Sequence, residues 1–232
     1  MQKLNKKLLN LIKNNNLLNN KMNEPISIKV VLLGESGVGK TSIISQFISK
    51  KFNPKCSTSV SAQFTSKTID FQDAKKSIRF DIWDTVGQEK YRSITRDYLR
   101  NSDGVFLVFD LHNKKSFDSL NYWLEELNNS DINKNCVKIL IGNKSDYKEK
   151  EIDDETINKF SEENGLKYLA VSAKEGVNIE SMFEIIGADC AKILQEKADE
   201  NENNNQSEKN KEDERFIVKI EEKKKLMKIL KS

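Results

Sequence analysis

Cysteine, histidine and long apolar runs are all scarce in this chain. The three cysteines, Cys56, Cys136 and Cys190, are scattered with no paired spacing. That argues against a disulfide framework or a thiolate zinc site and fits reduced thiols in a cytosolic compartment. His112 is the single histidine and reads as a bystander in a loop. No segment approaches the ~20 apolar residues that a helical membrane span needs. A net charge of +3 from 39 basic and 36 acidic residues is too small to point to nucleic acid. Basicity gathers at the two ends instead.

Met1 to Asn23 carries five lysines and no acid. Leu4, Leu8, Leu11 and Ile12 recur at helical spacing with Lys3, Lys6 and Lys13 opposite. The segment reads either as a membrane-surface helix or as an Asn/Lys-rich flexible arm. It lacks the continuous apolar core and small-residue cleavage site of a secretory leader. Gln2 also stands where N-myristoylation needs glycine. Ala198 to Glu214 is polar and repetitive, the composition of a disordered linker. From Arg215 onward, seven basic residues against Glu221 and Glu222 leave a net charge of +5. Phe216, Ile220, Met227 and Leu230 fall near one helical face there, interrupted by Lys223. This tail reads as a solvated, mobile end or as a weak contact for anionic membrane or a partner.

A length of 232 residues suits one domain with extensions, since domains usually run ~100–200 residues. The expected division is an N-terminal extension over 1–26, a domain over 27–197, the linker over 198–214 and the tail over 215–232. Strand-like runs cover Ile28–Leu33, Gln63–Phe71, Ser77–Trp83, Gly104–Asp110, Val137–Ile141 and Leu166–Val171. Helix-like runs cover Lys40–Lys50, Tyr91–Arg100, Ser116–Asn129, Asp154–Asn164 and Ile179–Lys197. Their alternation predicts an α/β fold of three layers, a six-stranded, mostly parallel sheet with helices on both faces. The short polar turn between the second and third strands predicts one antiparallel edge strand.

Against that frame, two stretches stand out. GESGVGKT, Gly34 to Thr41, fits G-x-x-x-x-G-K-[ST], with an apolar strand before it and a helical pattern after it. Glycines at those positions let backbone N–H groups turn inward around phosphates at the positive end of the next helix. Lys40 would reach the β- and γ-phosphates, and the Thr41 hydroxyl would ligate Mg²⁺. NKSD, Asn143 to Asp146, follows another apolar strand, at the sheet edge where open α/β folds bind ligands. A carboxylate such as Asp146 can accept from both the ring N–H and the exocyclic amine of guanine. Adenine offers no such donor pair.

With these, WDTVGQEKYRSIT (Trp83 to Thr95), LVFDL (Leu107 to Leu111) and SAK (Ser172 to Lys174) make the chain resemble a Ras-like small GTPase of the Rab branch, over roughly Ser27 to Lys197. The resemblance implies a P-loop GTPase domain, a GTP/GDP switch that regulates intracellular membrane traffic from the cytoplasm. The loop Gly34, Glu35, Ser36, Gly37, Val38, Gly39, Lys40, Thr41 and Ser42 would hold the phosphates. Phe52 would cover one face of guanine, while Asn143, Lys144 and Asp146 hold the base with help from Ser172, Ala173 and Lys174. Asp84 would hold Mg²⁺ through water beside Thr41 and Ser59. The Gly87 N–H would meet the γ-phosphate, and Gln88 would orient the attacking water. Phe64, Trp83 and Tyr98 match an aromatic effector patch, whereas Trp123 reads as core. Effectors, an exchange factor and a GTPase-activating protein are the implied partners.

Three positions depart from the family. Nineteen residues beyond Lys40, the first-switch threonine is Ser59, which keeps a hydroxyl but lacks the methyl that fixes a threonine rotamer. Ser61 replaces a glycine, and Val86 replaces an alanine beside Gly87. Most relatives also end in prenylated cysteines, whereas Cys190 is the last cysteine here, so any membrane contact is expected from the basic ends. The competing functional reading is a GTP-binding recruitment module with negligible hydrolysis. A P-loop ATPase is disfavoured by Asp146.

Overall fold

The computed structural model describes residues 25–54, 63–71, 76–85, 97–130 and 132–197. The chain divides after Ala191 into two units, and the candidate site lies wholly in the first. The basic ends, Ser59, Ser61, Val86, Gly87 and Gln88 lie outside the described residues.

Six strands form one sheet: β1 (Ile26–Leu33), β2 (Gln63–Phe71), β3 (Lys76–Asp84), β4 (Gly104–Asp110), β5 (Val137–Asn143) and β6 (Lys167–Ala170). Their order is β2-β3-β1-β4-β5-β6. All neighbours are parallel except β2 and β3, which pair antiparallel from Gln63 opposite Asp84 to Phe71 opposite Lys76. The order reverses beside β1, so the ends of β1, β4 and β5 open onto one crevice, the ligand-binding edge of such sheets.

The central strands are apolar because both their faces are covered. All seven residues of β4 are buried. Side chains alternate between sheet faces, and β4 shows where each goes. Val105, Leu107 and Phe109 join a cluster with Phe117, Leu120, Trp123, Leu127 and Ile157. Phe106 points instead to Phe183, at 5.2 Å between ring centroids. Phe183 stacks on Phe47 at 3.6 Å and meets Phe80 edge-on. The first face is covered by α2 (Lys114–Asp118), α3 (Leu120–Asn128) and α4 (Asp154–Glu163). The second is covered by α1 (Lys40–Ser49) and by residues 179–191 of the helix α5, which runs over 179–197. Gly187 and Gly104 permit that approach, since a Cβ would stand 2.7 Å from Phe80 and 2.6 Å from Ile186 respectively.

Most expected elements stand within two residues of their predicted ends, and Trp123 is 1% exposed. The single helix expected over Ser116–Asn129 is a correction. It begins at Lys114, where Asn113 caps the Ser116 N–H, and it breaks between Asp118 and Leu120. The Ser119 hydroxyl donates to the Ser116 carbonyl, and the Ser116 hydroxyl donates to the Asn113 carbonyl. Such local bonds compete with the helical ladder. Of the helix expected over Tyr91–Arg100, residues 97–99 are helical and 91–96 lie outside the described residues.

Phe183 contacts three other buried rings, so Phe183→Ala removes the shared centre of that cluster. A loss of about 3–5 kcal/mol in denaturant unfolding is expected. A loss under ~1 kcal/mol would show that the ring cluster does not hold this face together.

Candidate functional site

The loop between β1 and α1 folds around its glycines. Gly34, Gly37 and Gly39 take φ values of 145°, 80° and 99°, a region that L side chains resist. Space is also short at two of them. A Cβ on Gly34 would lie 2.0 Å from the Val108 carbonyl oxygen, and one on Gly39 would lie 2.2 Å from the Asn143 amide nitrogen. Gly39 is the N-cap of α1 and supplies no side-chain cap, whereas Asn113 and Asp153 cap α2 and α4. The N-terminus of α1 therefore presents its backbone donors to the cleft, a ready anion site.

Lys40 opens that helix and is buried, with Nζ donating to the carbonyls of Gly34 at 2.7 Å and Glu35 at 2.9 Å. Burial pushes its ammonium down to about 8, partly countered by the carboxylates of Asp84 and Glu35. Those carbonyls hold the lysine beneath the loop. Next to it, Thr41 Oγ1 donates to Asp84 Oδ2 at 2.6 Å. Asp84 ends β3 and is held there by Thr85, whose hydroxyl donates to the Leu32 carbonyl. A hydroxyl and a carboxylate oxygen side by side form the hard donor set that Mg²⁺ selects, so these residues fit that ion.

The far end of β5 supplies the other wall. Asn143 is 2% exposed. Its Nδ2 donates to the Val38 carbonyl at 2.8 Å, and its Oδ1 accepts from the Ala173 N–H at 3.2 Å. One amide thus joins the glycine loop to the segment after β6. Asp146 Oδ1 accepts from the buried Ser172 hydroxyl at 2.7 Å, and its Oδ2 lies 3.4 Å from Lys174 Nζ. Burial alone would raise the Asp146 carboxyl. Hydrogen bonds from Ser172, its own backbone amide and Lys174 outweigh burial and hold it below the ordinary carboxylate range.

Gly37, Gly39, Ser42, Phe52, Asn143, Lys144, Asp146, Ala173 and Lys174 line one cleft of about 250 Å³. Val38 is buried beneath it, and Ser36 lies on the exposed part of the loop. Sequence positions more than a hundred residues apart therefore meet at one crevice. The sequence profile of the Ras family matches residues 29–192. The chain is 38% identical over 183 residues to Ras-related protein Rab11A of Lotus japonicus, covering 77% of this chain and 80% of that one. It is 37% identical over 171 residues to Ras-related protein Rab2BV of Beta vulgaris, covering 73% and 78%. Ras-related protein YPTC6 of Chlamydomonas reinhardtii is 36% identical over 177 residues, covering 76% and 81%. The chain belongs to the Ras-like small GTPases, on the Rab branch. That family binds guanine nucleotide, generally with Mg²⁺, and acts as a GTP-dependent switch.

This Rab-like GTPase holds two further groupings, an aromatic row and a cluster around His112 that shares Lys144 and Tyr147 with the cleft lining. Phe64 and Trp83 are directly opposed across β2 and β3, with rings 5.3 Å apart, and Tyr98 stands 5.3 Å beyond Trp83. Phe64 is 55% exposed, so the three expected aromatics form one row with an open end. The second grouping corrects the reading of His112 as a bystander. Its Nε2 lies 3.1 Å from the Lys144 carbonyl, its backbone N–H donates to Asp110 Oδ1, and its ring meets Tyr147 edge-on. Asp110 Oδ2 in turn accepts from Lys144 Nζ at 2.6 Å. Asp110 belongs to the LVFDL motif at the C-terminal end of a buried strand, whereas His112 and Tyr147 fall in no motif.

Asp146 gives a pH test. A carboxylate depressed by native partners stabilises the fold above the ordinary carboxylate range and loses that contribution as pH falls through its folded value. Ser172→Ala removes the leading compensation for burial, so Asp146 should titrate at higher pH in that variant. Carboxyl-carbon NMR checks this; identical titration in parent and variant would discard the Ser172 contact as its cause.

Proposed function

We propose that the chain is a Rab-type switch that binds and hydrolyses GTP and regulates intracellular vesicle traffic, with its nucleotide domain spanning 27–197. The observation that carries this reading is the Asn143 amide, which sets an anion-ready loop and a carboxylate of guanine-reading chemistry in one cleft. Phosphates fit the donors of the loop and Lys40, whose ammonium replaces its two carbonyl contacts with phosphate oxygens. The base fits between Phe52 and the Asn143–Asp146 segment, where Asp146 accepts from the ring N–H and the exocyclic amine. Thr41, Ser59 and, through water, Asp84 are the residues that would hold Mg²⁺, which would supply charge neutralisation for the phosphates.

Hydrolysis moves the γ-phosphoryl group to water, and the protein contributes positioning and charge stabilisation. Gln88 orients the water, and the Gly87 N–H meets the γ-phosphate. Unaided enzymes of this class turn over at ~10⁻⁴ s⁻¹, and an arginine from a partner adds ~10⁵-fold. The chain is on this reading a timer that depends on an exchange factor and a GTPase-activating protein. Phe64, Trp83 and Tyr98 form the face for effectors. Among the described residues no helix is long and apolar enough to cross a membrane; contact with anionic lipid would come from the basic ends, at ~1 kcal/mol per lysine near the surface. The departures at Ser59 and Val86 favour one second reading, a GTP-binding recruitment module with negligible hydrolysis.

Base choice is tested with Asp146→Ala, which should weaken GDP binding by ~1–3 kcal/mol in titration calorimetry. Equal affinity of the parent for GDP and ADP would contradict the assignment. Single-turnover GTP hydrolysis with Mg²⁺ separates the two readings. The parent should turn over slowly, and Gln88→Leu should keep GTP affinity while losing most turnover. A parent with no turnover even with a GTPase-activating partner favours the recruitment module. Ser59→Thr should tighten the preference for GTP-Mg²⁺ over GDP-Mg²⁺, and unchanged titrations would remove Ser59 as the cause of any weak hold.

A further inference from the structure

Lys144 adopts a left-handed backbone with φ 68°, which costs free energy for a residue with a Cβ. Something must hold it there, because its conformation sets the direction of the segment that carries Asp146. Three hydrogen bonds close a ring around it. Lys144 Nζ donates to Asp110 Oδ2 at 2.6 Å, Asp110 Oδ1 accepts from the His112 N–H at 3.0 Å, and His112 Nε2 lies 3.1 Å from the Lys144 carbonyl. A carbonyl oxygen only accepts, so Nε2 carries the hydrogen in this contact. The same carbonyl also accepts from the Tyr147 N–H at 3.3 Å, closing the turn toward Asp146. The His112 ring is seated edge-on against Tyr147.

We propose that His112 is a positioning residue that clamps the base-binding turn through the Lys144 carbonyl and so prolongs the residence of bound guanine nucleotide. The inference rests on the cleft being the guanine site. The ring ties the loop after β4 to the loop after β5, two segments that share no covalent constraint near the base. Without the imidazole donor, the Lys144 carbonyl keeps only its longer bond to Tyr147. The left-handed turn is then held less tightly, and Asp146 samples positions from which it meets only part of the guanine edge.

The test follows release of fluorescent GDP from the full chain in Mg²⁺ buffer, for the parent, His112→Phe and His112→Gln. Phenylalanine keeps the ring against Tyr147 but has no donor, whereas glutamine restores an N–H at similar reach. His112→Phe should release GDP roughly 2–10-fold faster, the effect of one neutral hydrogen bond, and His112→Gln should recover most of the difference. Affinity for inosine diphosphate, which lacks the exocyclic amine, adds a readout that a general packing defect would not move. The GDP-to-IDP affinity ratio should fall in His112→Phe and return in His112→Gln. Parent-like release in His112→Phe, or equal acceleration in both variants with an unchanged ratio, overturns the proposal. Asp146→Ala is run alongside. If it weakens GDP while His112→Phe does not, only this inference fails; if it leaves GDP affinity unchanged, the guanine-site reading fails and takes the inference with it.

Discussion

The Asn143 side chain is the point on which the site depends. Nothing else in the described residues links the glycine loop after β1 to the segment after β6 by a single side chain, and Asn143 does so with both ends of one amide. Its position follows from the fold. It is the last residue of β5, whose register against β4 brings Asn143 opposite Asp110 at the strand ends. A buried amide left with either end unpaired costs ~1–3 kcal/mol. The glycine loop and the base-reading loops must therefore keep their relative places or lose that bond. This constraint also explains Gly39, where any Cβ would displace the Asn143 nitrogen.

From that link the chemistry separates into two ends. The end proposed for phosphates is rich in backbone donors and carries the buried Lys40, whose ammonium donates to the carbonyls of Gly34 and Glu35. The base end is held by acceptors and their supports, with Ser172 and Lys174 keeping Asp146 ionised despite its burial. Opposite demands on charge are thus met on opposite sides of one amide. The aromatic row from Phe64 to Tyr98 stands outside this division and meets it only at Asp84, the residue after Trp83.

Much of this was legible in the sequence. The limits of β2 and β4 follow from apolar runs bounded by polar turns, and the glycine loop and Asn143-to-Asp146 motifs fall where the strand ends converge. What escaped was set by tertiary contact or by local competition. Ser119 breaks a helix because serine hydroxyls at 116 and 119 satisfy carbonyls locally, a choice that periodicity does not report. His112 looked idle because its partner is 32 residues away, and a lone histidine has no spacing to read. Asn143 was expected to hold the base, and its second task as a clamp on Val38 emerges only when two loops are folded together. The roles proposed for Ser59, Gly87 and Gln88 rest on family resemblance alone.

The most direct measurement of the central claim is the GDP affinity of Asn143→Ala beside that of the parent, by titration calorimetry with Mg²⁺. Removing the amide leaves the Val38 carbonyl and the Ala173 N–H without their shared partner. The account predicts affinity weaker by about tenfold or more, with a thermal unfolding midpoint for the nucleotide-free protein that drops far less. Parent-like affinity in Asn143→Ala would contradict it, since the two ends of the cleft would then be held together by something other than this side chain.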